Sequence, residues 1–431
     1  MNLSDNHFLK SLFTLISGSF VSIIFLAIQH IALPYIFTPD ELGIKAVILA
    51  IPTACIGIVC GRFDLPIVYE EDESRIPALL KLNFICNLFF SAVITLICTI
   101  YFLFIKKGYS AYWYTLPAIF IYLAAYGATL TLNGYNNRYR DYKTISKMYA
   151  LRSGAQSLLP VILGLILVTW MKLSSLSVAI LVVPYCLGAA CGLCSQGKGL
   201  LSRREAILNA SRREICVEAK KHIRQLTISS PAILANGLSY SLITIMVSAL
   251  YGESITGYYS LSVTLLGLPI TLISGNMSKI YMRDAAKEYE ETGGFEHTFK
   301  KHFLVLSAIA VPMFFCLYFL APPVCAWLFG QKWLIAGEYI KALALMFTFR
   351  LVTTALSPGL YICKKQTDEL LIQFSLLGVT AAVGFFAKSY GYDAITFMWI
   401  IGIARSIVML VNVIIVYYYS RGNKRRSYNN G

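Results

Sequence analysis

Residues 44–73 read IKAVILAIPTACIGIVCGRFDLPIVYEEDE, and the fold class turns on how that stretch is read. From Ile44 the chain is apolar for the length of a membrane helix. Arg62 and Asp64 then interrupt it, LPIV restores apolar sequence, and four acids, Glu70 to Glu73, close it. About 20 apolar residues of helix cross the hydrocarbon of a bilayer. A charge pair flanked on both sides by such sequence is costly and marks a candidate functional site.

The stretch has an echo. Tyr35 to Val68 lies over Ala249 to Met282 at a constant offset of 214, with Gly43 on Gly257 and Gly61 on Gly275. A proline sits inside each copy, Pro52 and Pro269. Two similar halves, each with a polar position near one membrane face, point to a transporter.

Composition agrees. Of 431 residues 57% are hydrophobic and 14% charged, against about 25% charged in soluble domains. The longest polar stretch, Gly197 to Arg224, leaves no room for a soluble domain. The expected fold is an all-α polytopic membrane protein of twelve helices, near 8–37, 42–68, 82–105, 112–133, 146–171, 174–195, 222–250, 256–279, 301–329, 334–362, 367–388 and 393–419. The expected domains are a six-helix bundle over 1–196, a basic linker over 197–221, a second six-helix bundle over 222–420 and a basic tail over 421–431. The linker reads equally as an amphipathic helix on the inner leaflet and as a solvated loop. No removable signal peptide is expected.

The net charge of +15 is distributed as insertion requires rather than as nucleic-acid binding does, and no nucleic-acid-reading motif occurs. With the N-terminus inside, cytoplasmic segments hold 28 Lys and Arg and the opposite side 7. That asymmetry places both termini in the cytoplasm. Eleven cysteines are scattered, mostly in apolar runs. Cys191 and Cys194 form a CxxC that reads as small-residue helix packing. No hydrolytic, kinase, dinucleotide or metal-ligand motif is found, so neither catalysis nor a cofactor is expected.

Chemistry is therefore sought among polar groups at membrane depth. Arg62 and Asp64 are two apart and would diverge on a helix, pairing with other elements or facing a shared cavity; the even alternative is that the helix ends at Gly61 and both are ordinary interfacial charges. Arg350 and Arg405 each have apolar sequence on both sides, too deep for easy snorkelling. Their planar donor forks suit phosphate; a structural salt bridge or carbonyl contact is the alternative, weightier for Arg405 because the last helix pair is often peripheral. Gln29, His30, Asn236 and Asn276, the last at the repeat position of Arg62, are weaker candidates that also suit hydrogen bonding between helices. Arg138 and Arg140, in NGYNNRYRDYKTIS (133–146), are candidates for a lipid headgroup or for interfacial anchoring.

The chain resembles the bacterial polysaccharide flippases (Wzx-type, O-antigen and capsule translocases) of the multidrug/oligosaccharidyl-lipid/polysaccharide (MOP) exporter superfamily. The resemblance covers essentially the whole length. It is carried by IFTPDELGIKAVILAIPT (36–53), GRFDLPIV (61–68), LNGYNNRYRDYKTIS (132–146), FGQKWLIAGEYIKAL (329–343) and LSPGLYICKKQTDELL (356–371). Where that family commonly has Arg-Tyr-Glu, this chain has Arg62-Phe63-Asp64. The resemblance implies two six-helix bundles facing each other in a V around a cationic cavity in the bacterial cytoplasmic membrane. The implied cargo is an undecaprenyl-diphosphate-linked oligosaccharide, and glycan polymerase or assembly proteins are expected partners. With no nucleotide motif, energy would come from an H+ or Na+ gradient, the membrane potential or removal of product.

Two rivals stand beside this reading. A cation-coupled drug or metabolite exporter needs acids within the bundle, and Asp64 is the only acid placed near membrane depth. A polysaccharide polymerase normally needs a large outer loop, and every expected outer loop is short.

Overall fold

The computed structural model describes residues 3–363 and 365–422; Lys364 and most of the basic tail lie outside the described residues. The described chain is helical, with no strand among its residues. Eleven spans are long and apolar enough to cross a bilayer, and the first helix adds the apolar segment Phe20–Ile36. The chain is thus the expected all-α, multi-pass membrane protein. It divides into two compact units, Met1–Ser241 and Leu242–Gly431.

The first unit contains α1 (Leu3–Ile36), α2 (Pro39–Cys55), α3 (Pro66–Tyr69), α4 (Ile76–Ile100), α5 (Thr115–Arg138), α6 (Tyr142–Leu163), α7 (Ser177–Gly188), α8 (Leu193–Gln196), α9 (Arg204–Asn209) and α10 (Arg212–Lys221). α11 (Ser230–Tyr251) carries the boundary between the units. The start of α2 follows from its sequence. Thr38 and Glu41 make a capping box, Pro39 sits where no backbone N–H is needed, and Asp40 and Glu41 lie in the first turn. α1 packs along α6, α4 along α5, and α7 against α5 and α6.

The second expected helix does not run unbroken from 42 to 68. α2 ends at Cys55, a 3-10 turn covers Ile56–Ile58, and Gly61 and Arg62 both take positive φ (57° and 61°) before α3 begins. The second copy behaves differently. α12 (Glu253–Thr292) passes through Pro269 and Gly275 as a single 40-residue helix. Proline inside the helix is therefore not what breaks the first copy. Gly57 and Pro66 face Thr271 and Ile280 in the second copy. The glycine-flanked segment from Gly57 to Gly61 can turn left-handed, and Pro66 starts the next helix at a position that needs no backbone N–H.

The turn is fixed from both sides. The Asn83 amide of α4 donates to the carbonyls of Phe63 (2.8 Å) and Leu79 (2.9 Å). On α5, a side chain at Gly134 would stand 2.8 Å from the Asp64 carbonyl oxygen, so only glycine permits this approach.

The linker is folded onto the first unit. Ser211 and Glu214 form a capping box at the start of α10. Lys81 of α4 donates to the carbonyls of Leu208 (2.7 Å) and Ala210 (2.8 Å), satisfying a chain end that α9 leaves open. Ile207 enters an apolar cluster with Ile67, Ile76, Leu79, Leu80 and Tyr135. Leu201, Leu208 and Val217 remain exposed. The CxxC also differs from its expected helix: Cys191 and Cys194 are exposed free thiols around a turn in which Gly192 has φ 90°.

The second unit is built around α14 (Leu334–Leu356), which packs on α12, α13 (Glu296–Phe329) and α17 (Ala394–Ser420). Ser262 and Ser274 of α12 donate to the carbonyls of Ala336 and Leu351 on α14 (2.7 and 2.8 Å). Hydroxyl-to-carbonyl bonds of this kind join helices where no water competes. α15 (Gly359–Ile362) and α16 (Gln366–Tyr390) complete the unit. The expected glycine turn after α12 is present, with Gly293 left-handed at the helix end, although the helix reaches it through the segment read as a loop.

Candidate functional site

In the first unit a continuous polar network runs through the helices. Gln29 of α1 is 1% exposed and donates to the Gln156 carbonyl of α6 (3.2 Å). The Gln156 amide donates to the Tyr185 carbonyl of α7 (3.1 Å) and accepts from the Tyr126 hydroxyl of α5 (3.2 Å). Tyr126 lies against Tyr122, and Tyr122 against Tyr185.

Two cations rest on this aromatic wall. The Arg152 guanidinium of α6 stands 4.6 Å from the Tyr126 ring centre and 5.1 Å from that of Tyr149. The Lys45 ammonium of α2 stands 4.9 Å from the Tyr185 ring centre, with half-buried His30 within its electrostatic reach. Aromatic faces hold a cation in place without neutralising it.

Sequence reasoning missed Lys45 and Arg152 as site residues, having counted them as loop charges at the two membrane faces. A usable signal was present: Tyr149 lies three residues before Arg152 in α6, where a helix brings two side chains together.

At the break after α2, the Arg62 guanidinium is 4.0 Å from the Asp64 carboxylate. On a helix the two would have diverged; the left-handed turn brings them together. Asp64 is 7% exposed, and its Oδ1 and the Arg62 Nε have no hydrogen-bond partner. Asp64 lies outside the spanning segments, and burial raises its carboxyl above the ordinary carboxylate value despite the opposing Arg62 charge.

The remaining candidates are distributed. Arg138 is bound by Glu73 (2.8 Å) and donates to the carbonyls of Ile67 (3.3 Å) and Glu70, so it braces the loop between α3 and α4. Arg140 is exposed and left-handed (φ 56°). Asn236 is exposed on α11, and exposed Asn276 donates to Leu272 of its own helix (2.8 Å).

In the second unit Arg405 is fully buried and donates to the Thr380 hydroxyl of α16 (2.8 Å). Arg350 is half-buried on α14, with its guanidinium 5.4 Å from the Phe347 ring centre. An open cleft between α16 and α17 is walled by Leu371, Val408, Val411 and Ile414, with Asp368 and Tyr419 also on its lining.

Comparison with known proteins fits this architecture. The profile of the family described as "Polysaccharide biosynthesis protein" matches residues 32–338. The search of curated proteins finds no match. Among solved structures, the lipid II flippase MurJ in an inward closed conformation has a TM-score of 0.65 at 14% identity, covering 94% of this chain and 87% of that one. A MOP superfamily transporter from Pyrococcus furiosus has a TM-score of 0.60 at 15% identity, covering 95% and 93%. An inward-facing multidrug resistance MATE transporter of the same superfamily has a TM-score of 0.57 at 15% identity, with the same coverage. The chain belongs to the polysaccharide biosynthesis protein family, in the fold shared by the transporters and flippases of the MOP superfamily.

Proposed function

We propose that the chain is a flippase that carries an undecaprenyl-diphosphate-linked oligosaccharide, an O-antigen, capsule or similar repeat unit, across the bacterial cytoplasmic membrane. The observation that carries the reading is the tyrosine-backed cation network of the first unit, built on Lys45 and Arg152 with His30 nearby. A diphosphate-linked sugar cannot cross about 30 Å of hydrocarbon unaided, because desolvating its charges is prohibitive. Cations held against aromatic faces offset that cost. Within the second unit Arg350 is a separate candidate for anion binding. The polyprenyl chain stays in lipid, and rocking of the two halves moves the headgroup outward. An H+ or Na+ gradient or the membrane potential drives the cycle, with Asp64 as the coupling carboxylate. Glycan polymerase and assembly proteins act on the delivered product.

The competing reading, a cation-coupled exporter of drugs or metabolites, draws on Asp64 beside Arg62. It needs a negatively charged binding region, which the Lys45–Arg152 network opposes.

The test is complementation of a strain lacking its own O-unit flippase with wild type, Arg152→Ala, Arg350→Ala and Asp64→Ala at matched membrane levels. The reading expects surface glycan from wild type and at least a tenfold loss in Arg152→Ala. Restored glycan with undiminished activity in Arg152→Ala and Arg350→Ala would refute the anion-binding role. Failure of wild type together with resistance to cationic drugs would favour the exporter.

A further inference from the structure

The linker meets the first unit at a cluster the transport reading does not use. Glu70 follows α3, Glu218 lies on α10 and His222 closes that helix. One ligand atom from each falls within 4.8 Å of the others. His222 Nε2 is 3.5 Å from Glu70 Oε2 and 3.6 Å from Glu218 Oε2. Those separations are long for hydrogen bonds. Yet zinc bonds of ~2.0–2.2 Å to nitrogen and oxygen set neighbouring tetrahedral ligand atoms roughly 3.3–3.6 Å apart.

Burial singles out the same atoms. The side chains of Glu218 and His222 are 4% and 9% exposed. Neither Glu218 Oε2 nor His222 Nε2 has a hydrogen-bond partner. Such orphaned polar atoms are costly unless something polar meets them. The outer contacts are also in place. Arg75 faces the other oxygen of Glu218 (Nη1 to Oε1, 3.4 Å), leaving Oε2 turned toward the histidine. Lys221 holds Glu70 Oε2 at 2.6 Å, but its side chain is 39% exposed, so it can swing into solvent when a stronger cation arrives.

We propose that Glu70, Glu218 and His222 form a binding site for a divalent transition-metal ion, best fitted by Zn2+, which clips linker helix α10 to the loop between α3 and α4. Three protein ligands leave a fourth position for water. Metal binding here displaces the Lys221 ammonium from Glu70. The clip fastens the linker beside the α2–α3 turn that carries Arg62 and Asp64.

The experiment uses the purified full-length protein in detergent, stripped with chelator and titrated with Zn2+ by calorimetry, with metal content measured after desalting. One Zn2+ per chain is expected, with affinity falling at least tenfold in His222→Ala and in Glu218→Gln. Lys221→Ala removes the competing ammonium and is expected to bind several-fold more tightly, which no purely structural role for the lysine predicts. Exposed Cys191 and Cys194 are the obvious alternative ligands, so Cys191→Ser/Cys194→Ser is expected to bind as wild type. Should His222→Ala fail to fold, His222→Gln and the gain in Lys221→Ala decide. No binding by wild type, binding unchanged in His222→Gln, or binding abolished in the double serine variant would each overturn the proposal.

Discussion

The Arg62 guanidinium stands 4.0 Å from the Asp64 carboxylate across a turn in which Arg62 itself has φ 61°. A left-handed backbone at a non-glycine residue costs on the order of 1–3 kcal/mol and persists where the surroundings or the function hold it. The side chain, not the backbone, is then what recommends arginine here. Replacing Arg62 by glycine relieves the strain, so Arg62→Gly is expected to keep thermal stability within about 1 kcal/mol of wild type or raise it. Transport by the same variant is expected to fall at least tenfold. A loss of stability with transport intact would show that the pair is structural.

The two copies of the repeat offer an internal comparison. Gly61 is left-handed (φ 57°), whereas Gly275 lies within α12 with no atom near where a side chain would go. Gly61→Ala is expected to destabilise by about 1–2 kcal/mol, since a Cβ is strained in that conformation. Gly275→Ala is expected to stabilise by roughly 0.5–1 kcal/mol, as alanine does in a helix interior. Thermal unfolding of both variants in one detergent checks the pair. Equal effects would mean that the first copy also runs as a continuous helix.

Why the sequence showed one of these features and not the other has a physical basis. Helix count and class are written in runs of about 20 apolar residues, which survive any detail of packing. The break after α2 agrees with the alternative that ends the helix near Gly61; the extra signals, Gly57 and Pro66, are absent from the second copy and outside an overlay keyed to Gly43 and Gly61. The partners of deep charges are not local. Arg152 finds Tyr126 on another helix, and Lys221 finds Glu70 across 151 positions. Only Tyr149, one turn from Arg152, lay within reach of periodicity. The linker read equally as leaflet helix and loop because its anchors, Ile207 and the Lys81 ammonium, depend on where α4 sits.

Arg405 and Arg350 look alike in sequence and differ in surroundings. Arg405 is fully buried and bonds to Thr380, while Arg350 is half-buried beside Phe347. Thr380→Val deprives a buried guanidinium of an acceptor and is expected to cost about 1–3 kcal/mol of stability. Arg350→Ala removes the cation–π contact with Phe347 and is expected to lower transport. Thermal unfolding alongside glycan export separates the two roles. A Thr380→Val protein as stable as wild type would release Arg405 from its structural assignment.

The linker contact carries its own pH signature. Lys221 donates to Glu70 at 2.6 Å, and that bond holds the Glu70 carboxyl below its ordinary value of 4.5. A carboxyl lowered in the folded state adds stability that is fully present above 4.5 and is lost as pH falls through the lower folded value. In chelator-treated protein the linker is therefore expected to stay docked at mildly acidic pH and to loosen only below the usual carboxylate range. Amide hydrogen exchange over residues 204–222, compared between wild type and Glu70→Gln, reads this directly. Wild type is expected to lose protection as pH falls, after correction for the intrinsic exchange rate, while Glu70→Gln starts less protected and changes little. Identical profiles would mean that Ile207 and Lys81 hold the linker without the carboxylate.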